Sequence, residues 1–160
     1  MPPKPLVDLS TIDLTQVIAG PEEIRKFNAH RHEMEHLNGI IYQDLEEGVI
    51  IGYKDVRDDE FWVRGHIPGR PLLPGVIMCE AAAQLCSYYI KLVLGARKFL
   101  GFGGMQDVKF RRQVVPGERL IIVAKNKELR MRRSTFDCQG FVGDQMAYEV
   151  TIIGMPMGEQ

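Results

Sequence analysis

The chain has 160 residues, 45% of them apolar and 26% charged, with a net charge of about −1. That length holds one domain with a substantial core and is short for two. The balanced charge gives the whole chain no electrostatic reason to bind nucleic acid or an anionic membrane, and no apolar run long enough to span a bilayer is expected.

Residues 1–10 read as a loose arm without the apolar stretch of a secretory signal. Gly20-Pro21-Glu22-Glu23 opens a helix, with proline early and acids in the first turn, and Asn38-Gly39 is the turn signal expected to end it. Strand-like runs follow at 40–45 and 49–56, separated by Glu46-Glu47-Gly48. Phe61-Trp62-Val63 then leads into a stretch crowded with proline and glycine, His66 to Gly75.

Residues 76–94 offer about five helical turns without Gly or Pro, and Gly95 is a natural stop. The helix is apolar around most of its circumference, so something must wrap it. The wrapper is expected from β-type segments at 108–115, 120–129, 134–142 and 145–153, two of whose junctions carry the turn signals Pro116-Gly117-Glu118 and Gly143-Asp144. Short turns without intervening helices predict a meander, hence an α+β fold: an antiparallel sheet curled around one long central helix. No internal repeat or linker divides residues 1–160, of which 1–20 form an N-terminal arm.

Cys79 and Cys86 lie seven residues apart, about two helical turns, and are expected on one face as small buried side chains. With Cys138 they make neither an even disulfide set nor a CxxC pair, which fits a reducing cytoplasm.

The chemistry concentrates between His66 and Glu80. Glu80 lies beyond the first turn of its helix, where the benefit of the helix dipole has faded. A carboxyl buried there is expected to have its pKa raised until it trades protons near neutral pH. His66 sits on a proline-stiffened segment that can hold an imidazole in a fixed orientation. Pro74-Gly75 presents a helix N-terminus with free N–H groups, and glycine leaves room for a carbonyl to approach. Base, acid and oxyanion donor within fifteen residues suit proton abstraction next to a carbonyl.

A second pattern competes. His32-Glu33-Met34-Glu35-His36 fits H-E-x-x-H, in which two histidines one turn apart bind zinc. It lacks an assignable third ligand and has charged surroundings, so a solvated or interface helix is the expected reading, with no metal and no cofactor.

The segment His66-Ile67-Pro68-Gly69-Arg70-Pro71-Leu72-Leu73-Pro74-Gly75-Val76-Ile77-Met78-Cys79-Glu80-Ala81-Ala82-Ala83-Gln84 closely resembles the signature of the FabZ-type 3-hydroxyacyl-[acyl-carrier-protein] dehydratases. Asp59-Glu60-Phe61-Trp62 before it, and Val108 to Glu118 after it, extend the resemblance over most of residues 21–153. The resemblance implies a hot-dog fold and dehydration of a (3R)-hydroxyacyl thioester to the trans-2-enoyl thioester. His66 would remove the α-proton, and Glu80 would help the β-hydroxyl leave. The Gly75 N–H would polarise the thioester carbonyl, the Leu72 carbonyl would hold the His66 ring, and Val76 would border the substrate. It further implies a homodimer whose sites pair the histidine of one subunit with the acid of the other, in a trimer of dimers. The acyl chain would lie in an apolar tunnel beside the central helix.

Acyl carrier protein, which is acidic, would be the carrier; Lys109, Arg111 and Arg112, with Arg64 and Arg70, are the candidates for docking it. Where the family has a segment close to LPHRYPFLLVD, this chain keeps His30-Arg31 but replaces the following apolar run with charged residues. Gln113 stands where the family has proline. A non-catalytic acyl-binding hot-dog domain and a hot-dog thioesterase are the rival readings.

Overall fold

A computed structural model describes residues 3–95, 98–130 and 132–159; the first two residues of the expected arm lie outside these. The first helix, α1 (Pro21–Phe27), has Pro21 at its start, Glu22 and Glu23 in its first turn and Arg25 and Lys26 in its last. It ends eleven residues before the expected stop, because Asn28 turns extended (φ −92°, ψ 137°). The Asn28 side chain instead donates to the Gln84 carbonyl (2.9 Å), so local turn chemistry yields to a tertiary hydrogen bond.

Two strands follow, β1 (Gly39–Asp44) and β2 (Val49–Asp55), close to where the strand-like runs place them. The central helix, α2 (Gly75–Leu94), ends on Gly95 at φ 60°, whose N–H bonds the Lys91 carbonyl. A side chain there would be strained in the left-handed conformation. Four more strands complete the sheet: β3 (Lys98–Phe110), β4 (Arg119–Leu129), β5 (Ser134–Val142) and β6 (Gln145–Glu159).

All pairings are antiparallel, in the order β1-β2-β4-β5-β6-β3. Strands β4 to β6 form the expected meander, but β3 does not join it in sequence order; it pairs at the far edge with β6. The expected strand at 108–115 is shifted: β3 begins ten residues earlier and ends at Phe110. Gly101, Gly103 and Gly104 erase the alternation that would have marked it. A Cβ on Gly101 or Gly103 would run into the Met157 or Met155 side chain of β6, so backbone pairing is bought with glycine.

One face of the sheet holds α2. Met78, Cys79, Ala81, Ala82, Leu85, Cys86, Tyr89 and Ile90 pack there against Ile50, Ile122, Phe136 and Ile152. Each large side chain so buried contributes roughly 1.5–3 kcal/mol relative to exposure. All three cysteines are buried thiols, Cys86 and Cys138 with sulfurs 3.6 Å apart. By length and hydropathy α2 could cross a membrane, contrary to the sequence expectation; here it is the wrapped core helix.

The opposite face also carries an apolar cluster: Ile41, Val49, Ile51, Ile121, Val123 and Phe141. Leu6, Val7, Leu9, Ile12 and Leu14 cover it, and Gln139 accepts from the Leu6 N–H (2.8 Å) while donating to the Lys4 carbonyl (3.2 Å). The arm is therefore packed rather than loose, because a two-faced apolar sheet needs cover on both sides.

Candidate active site

The loop before α2 is tied at successive points. The His66 N–H donates to the Trp62 carbonyl, and the Leu72 N–H donates to the His66 carbonyl, each at 2.8 Å. Leu73 donates to Val114 (2.8 Å), pinning the end of the loop to the segment beyond β3. Trp62 is buried and serves as the loop's anchor. His66 Nδ1 lies 2.8 Å from the Leu72 carbonyl oxygen. A carbonyl can only accept, so Nδ1 carries the proton and Nε2 presents a lone pair. The His66 side chain is exposed.

A buried ion pair stiffens the approach to this loop. Lys54 of β2 donates to Glu60 at 2.6 Å, with the two side chains 4% and 7% exposed. Glu60 also accepts from the Arg57 N–H (2.9 Å). Burial opposes ionisation of Glu60, but the bonds from Lys54 and Arg57 outweigh it and hold the carboxyl below its ordinary pKa.

At the head of α2, Pro74 supplies no N–H, and its carbonyl accepts from Ile77 (2.9 Å) and Met78 (3.3 Å). The N–H groups of Gly75 and Val76 have no protein acceptor among the described residues. Gly75 lies close under Phe110: a Cβ would fall 2.7 Å from that ring, which is half-exposed and would have to move aside. Val76 is 66% exposed, and Leu72 is half-buried beside it.

Glu80, in the second turn, is 22% exposed and is gripped through one oxygen. Oε1 lies 3.0 Å from Gln84 Nε2 and 3.3 Å from His30 Nε2, while Oε2 has no bond from the chain among the described residues. Gln84, one turn on, also donates to the Met34 carbonyl (2.7 Å) and accepts from the His36 N–H (2.9 Å). Residues 28–36 are thus stitched onto α2 around Glu80. Burial alone would raise the Glu80 pKa, as expected from sequence. The hydrogen bonds from His30 and Gln84 reverse the sign and hold the carboxyl below its ordinary value.

The same segment disposes of the zinc pattern. Its core is a single 3₁₀ turn (His32–Met34) with His32 at φ 57°, so His32 and His36 do not share a helical face. His36 is 1% exposed, its Nδ1 3.4 Å from the Lys54 ammonium. Burial, then the Lys54 charge, push its pKa down to about 4, so the ring is neutral near pH 7.

His30 and Glu80 open a small cavity, about 40 Å³, that continues along α2 past Ser87 to Ile90 under Leu100 and Phe102 of β3. Within one chain no hydrogen bond joins His66 to Glu80. Of the docking candidates, Arg111 pairs with Glu149 (2.8 Å) and Arg112 with Glu118 (2.7 Å), Arg70 donates to the Gln113 side chain (3.2 Å), and Lys109 and Arg64 are exposed. Sequence reasoning overlooked His30, Gln84 and the Lys54–Glu60 pair. The signals were present: a glutamine four residues after Glu80, the retained His30-Arg31, and a lysine inside an apolar strand.

Residues 28–151 match the family model described as a FabA-like domain. A 3-hydroxyacyl-[acyl-carrier-protein] dehydratase FabZ from Saccharophagus degradans is 32% identical over 141 residues, covering 82% of this chain and 92% of the relative. Two solved structures share the fold at low identity. The dehydratase heterocomplex ApeI:P from Xenorhabdus doucetiae has a TM-score of 0.71 at 13% identity, covering 84% of this chain and 91% of that one. A sigma28-regulated virulence protein from Campylobacter jejuni, Cj0977, has a TM-score of 0.63 at 15% identity, covering 89% and 95%.

Proposed function

Because the chain belongs to the FabA/FabZ-like family of hot-dog dehydratases, we propose that it converts (3R)-hydroxyacyl-[acyl-carrier-protein] to the trans-2-enoyl thioester, in fatty acid synthesis or a related lipid pathway. The observation that supports this best is the His66–Leu72 contact, which leaves the imidazole as a base with its lone pair outward. His66 Nε2 removes the α-proton of the acyl thioester. The free N–H groups at Gly75 and Val76 receive the negative charge that builds on the thioester oxygen, at the positive end of α2.

Glu80, ionised at rest, faces the β-carbon and relays to the departing hydroxyl the proton that His66 has taken from the α-carbon, directly or through a water molecule. The hydroxyl leaves as water, and both side chains return to their starting protonation states. His66 and Glu80 share no hydrogen bond and no common partner within one chain, which supports a site shared by two subunits, His66 from one and Glu80 from the other. Strand β3 ends the sheet with an unpaired edge, and Phe102 and Met105 on it are exposed, which favours this edge as the dimer seam. A trimer of dimers is the assembly inferred from the family.

The carrier would dock on basic side chains near the His66 loop. Lys109, Arg64 and Arg70 are the freer candidates, since Arg111 and Arg112 are engaged by acids of their own chain. The reading treats residues 1–160 as one hot-dog domain working in the cytoplasm. Following enoyl-thioester absorbance with a short 3-hydroxyacyl thioester, and then with the carrier-bound form, tests it. A thioesterase would instead release free thiol, and a purely binding domain would do neither.

A further inference from the structure

We propose that His30 is a positioning residue for Glu80: its Nε2–H, together with the Gln84 amide, clamps Oε1 and leaves Oε2 as the single oxygen offered to the substrate. The proposal rests on Glu80 serving the β-hydroxyl, as read above. The geometry carries it. The Gln84 amide donates to Oε1 at 3.0 Å, and His30 Nε2 stands against the same oxygen at 3.3 Å. His30 Nδ1 is buried without a hydrogen-bond partner among the described residues. A proton there would be a stranded donor, so the neutral ring carries its proton on Nε2, facing the carboxylate. The clamp is anchored beyond the pair, because Gln84 is itself held by the Met34 carbonyl and the His36 N–H.

The surroundings of Glu80 divide sharply. From α2 comes Gln84, and from residues 28–36 come His30 and, behind Gln84, His36. Lys54 and Glu60 stand one layer further out, against His36. From β3 and β6 the cavity is walled by Leu100, Phe102, Ile152 and Ile153, which offer no charge. A carboxyl facing that wall without the clamp would be governed by burial, and its ionisation would move upward. The clamp therefore sets both the direction of the carboxyl and its protonation state. It also assigns a purpose to His30, which this chain keeps from the family segment, and to Met34 and His36 of the departing run, which hold Gln84.

The test is a titration of the Glu80 side-chain carboxyl by NMR in protein labelled at glutamate, the signal assigned by its loss in Glu80→Gln. In the parent its midpoint lies below the ordinary carboxylate value. In His30→Ala, or in His30→Phe should the alanine variant not fold, the midpoint rises above that value; in His30→Gln, which restores a donor, it returns toward the parent. Dehydration kcat falls roughly tenfold or more in His30→Ala, with a smaller change in KM, as for loss of a hydrogen bond to a charged group, and recovers in His30→Gln. A Glu80 midpoint unmoved by loss of the His30 ring overturns the proposal. Because the titration needs no turnover, failure of the dehydratase reading would show separately, as an inactive parent with an intact clamp.

Discussion

The His66 imidazole and the Leu72 carbonyl, 2.8 Å apart, fix each other: the backbone sets the tautomer, and the ring closes the loop. The loop's other ties, to Trp62 and Val114, mean that the proposed base is oriented by main-chain bonds rather than by a neighbouring carboxylate. Its direction is thus robust to most side-chain changes around it and sensitive to changes in the loop backbone.

If His66 and Glu80 act from different subunits, two inactive variants should rescue one another. Equal amounts of His66→Ala and Glu80→Gln, dissociated and reassembled together, would place one intact site in half of the dimers. Activity should recover to about a quarter of the parent value, as random pairing in a two-fold dimer requires. No recovery with verified subunit exchange would place both residues in one chain's site.

Gly75→Ala puts a methyl group 2.7 Å from the Phe110 ring, so the ring or the helix start must shift. The expected cost is about 1–3 kcal/mol of stability. Activity falls further than stability explains, because the added methyl group crowds the approach to the Gly75 N–H, the proposed oxyanion donor, which alanine itself retains. Denaturant unfolding beside kcat/KM separates the two effects.

His36 makes stability depend on pH. Its folded pKa is about 4 against an ordinary 6.5, depressed first by burial and then by Lys54. As pH falls below about 6.5 the unfolded chain takes up a proton that the folded chain refuses until about pH 4. Folding free energy is therefore lost across that window, on the order of 3 kcal/mol when the shift is converted directly. Thermal unfolding at intervals from pH 7 to 4.5 should show the decline, and His36→Leu should flatten it.

Breaking the Lys54–Glu60 pair on one side leaves a buried charge alone. Lys54→Met or Glu60→Gln should each cost about 3–5 kcal/mol, whereas the double change should be considerably milder. Since Glu60 also holds the Arg57 N–H ahead of the His66 loop, the single variants should lose activity while still folded at low temperature.

Much of this was legible in the chain. The central helix could be read from its apolar run and its Gly95 stop, and β1, β2, β4 and β5 from their β-type residues and the turn signals between them. The candidate pair His66 and Glu80 stood out as a proline-stiffened histidine and an acid in an apolar helix, but their proposed roles rested on a family signature, because no periodicity reveals what Glu80 faces. Strand β3 was hidden by glycines that exist to admit Met155 and Met157. Residues 28–36 were the least readable. Their charges suggested a solvated helix or a zinc motif, yet they fold as an extended wall held by Asn28 and Gln84. Even the sign of the Glu80 pKa shift was set by donors fifty positions away or one turn along, which sequence proximity to His66 could not disclose.

The most direct measurement is the enoyl-thioester absorbance assay on the purified chain, with a short 3-hydroxyacyl thioester and its carrier-bound form, run beside His66→Ala and Glu80→Gln. Turnover in the parent, lost by several orders of magnitude in both variants and unchanged by chelator, is the expected result. A correctly folded parent that leaves both substrates untouched, or one that releases free thiol instead of the enoyl product, would contradict it.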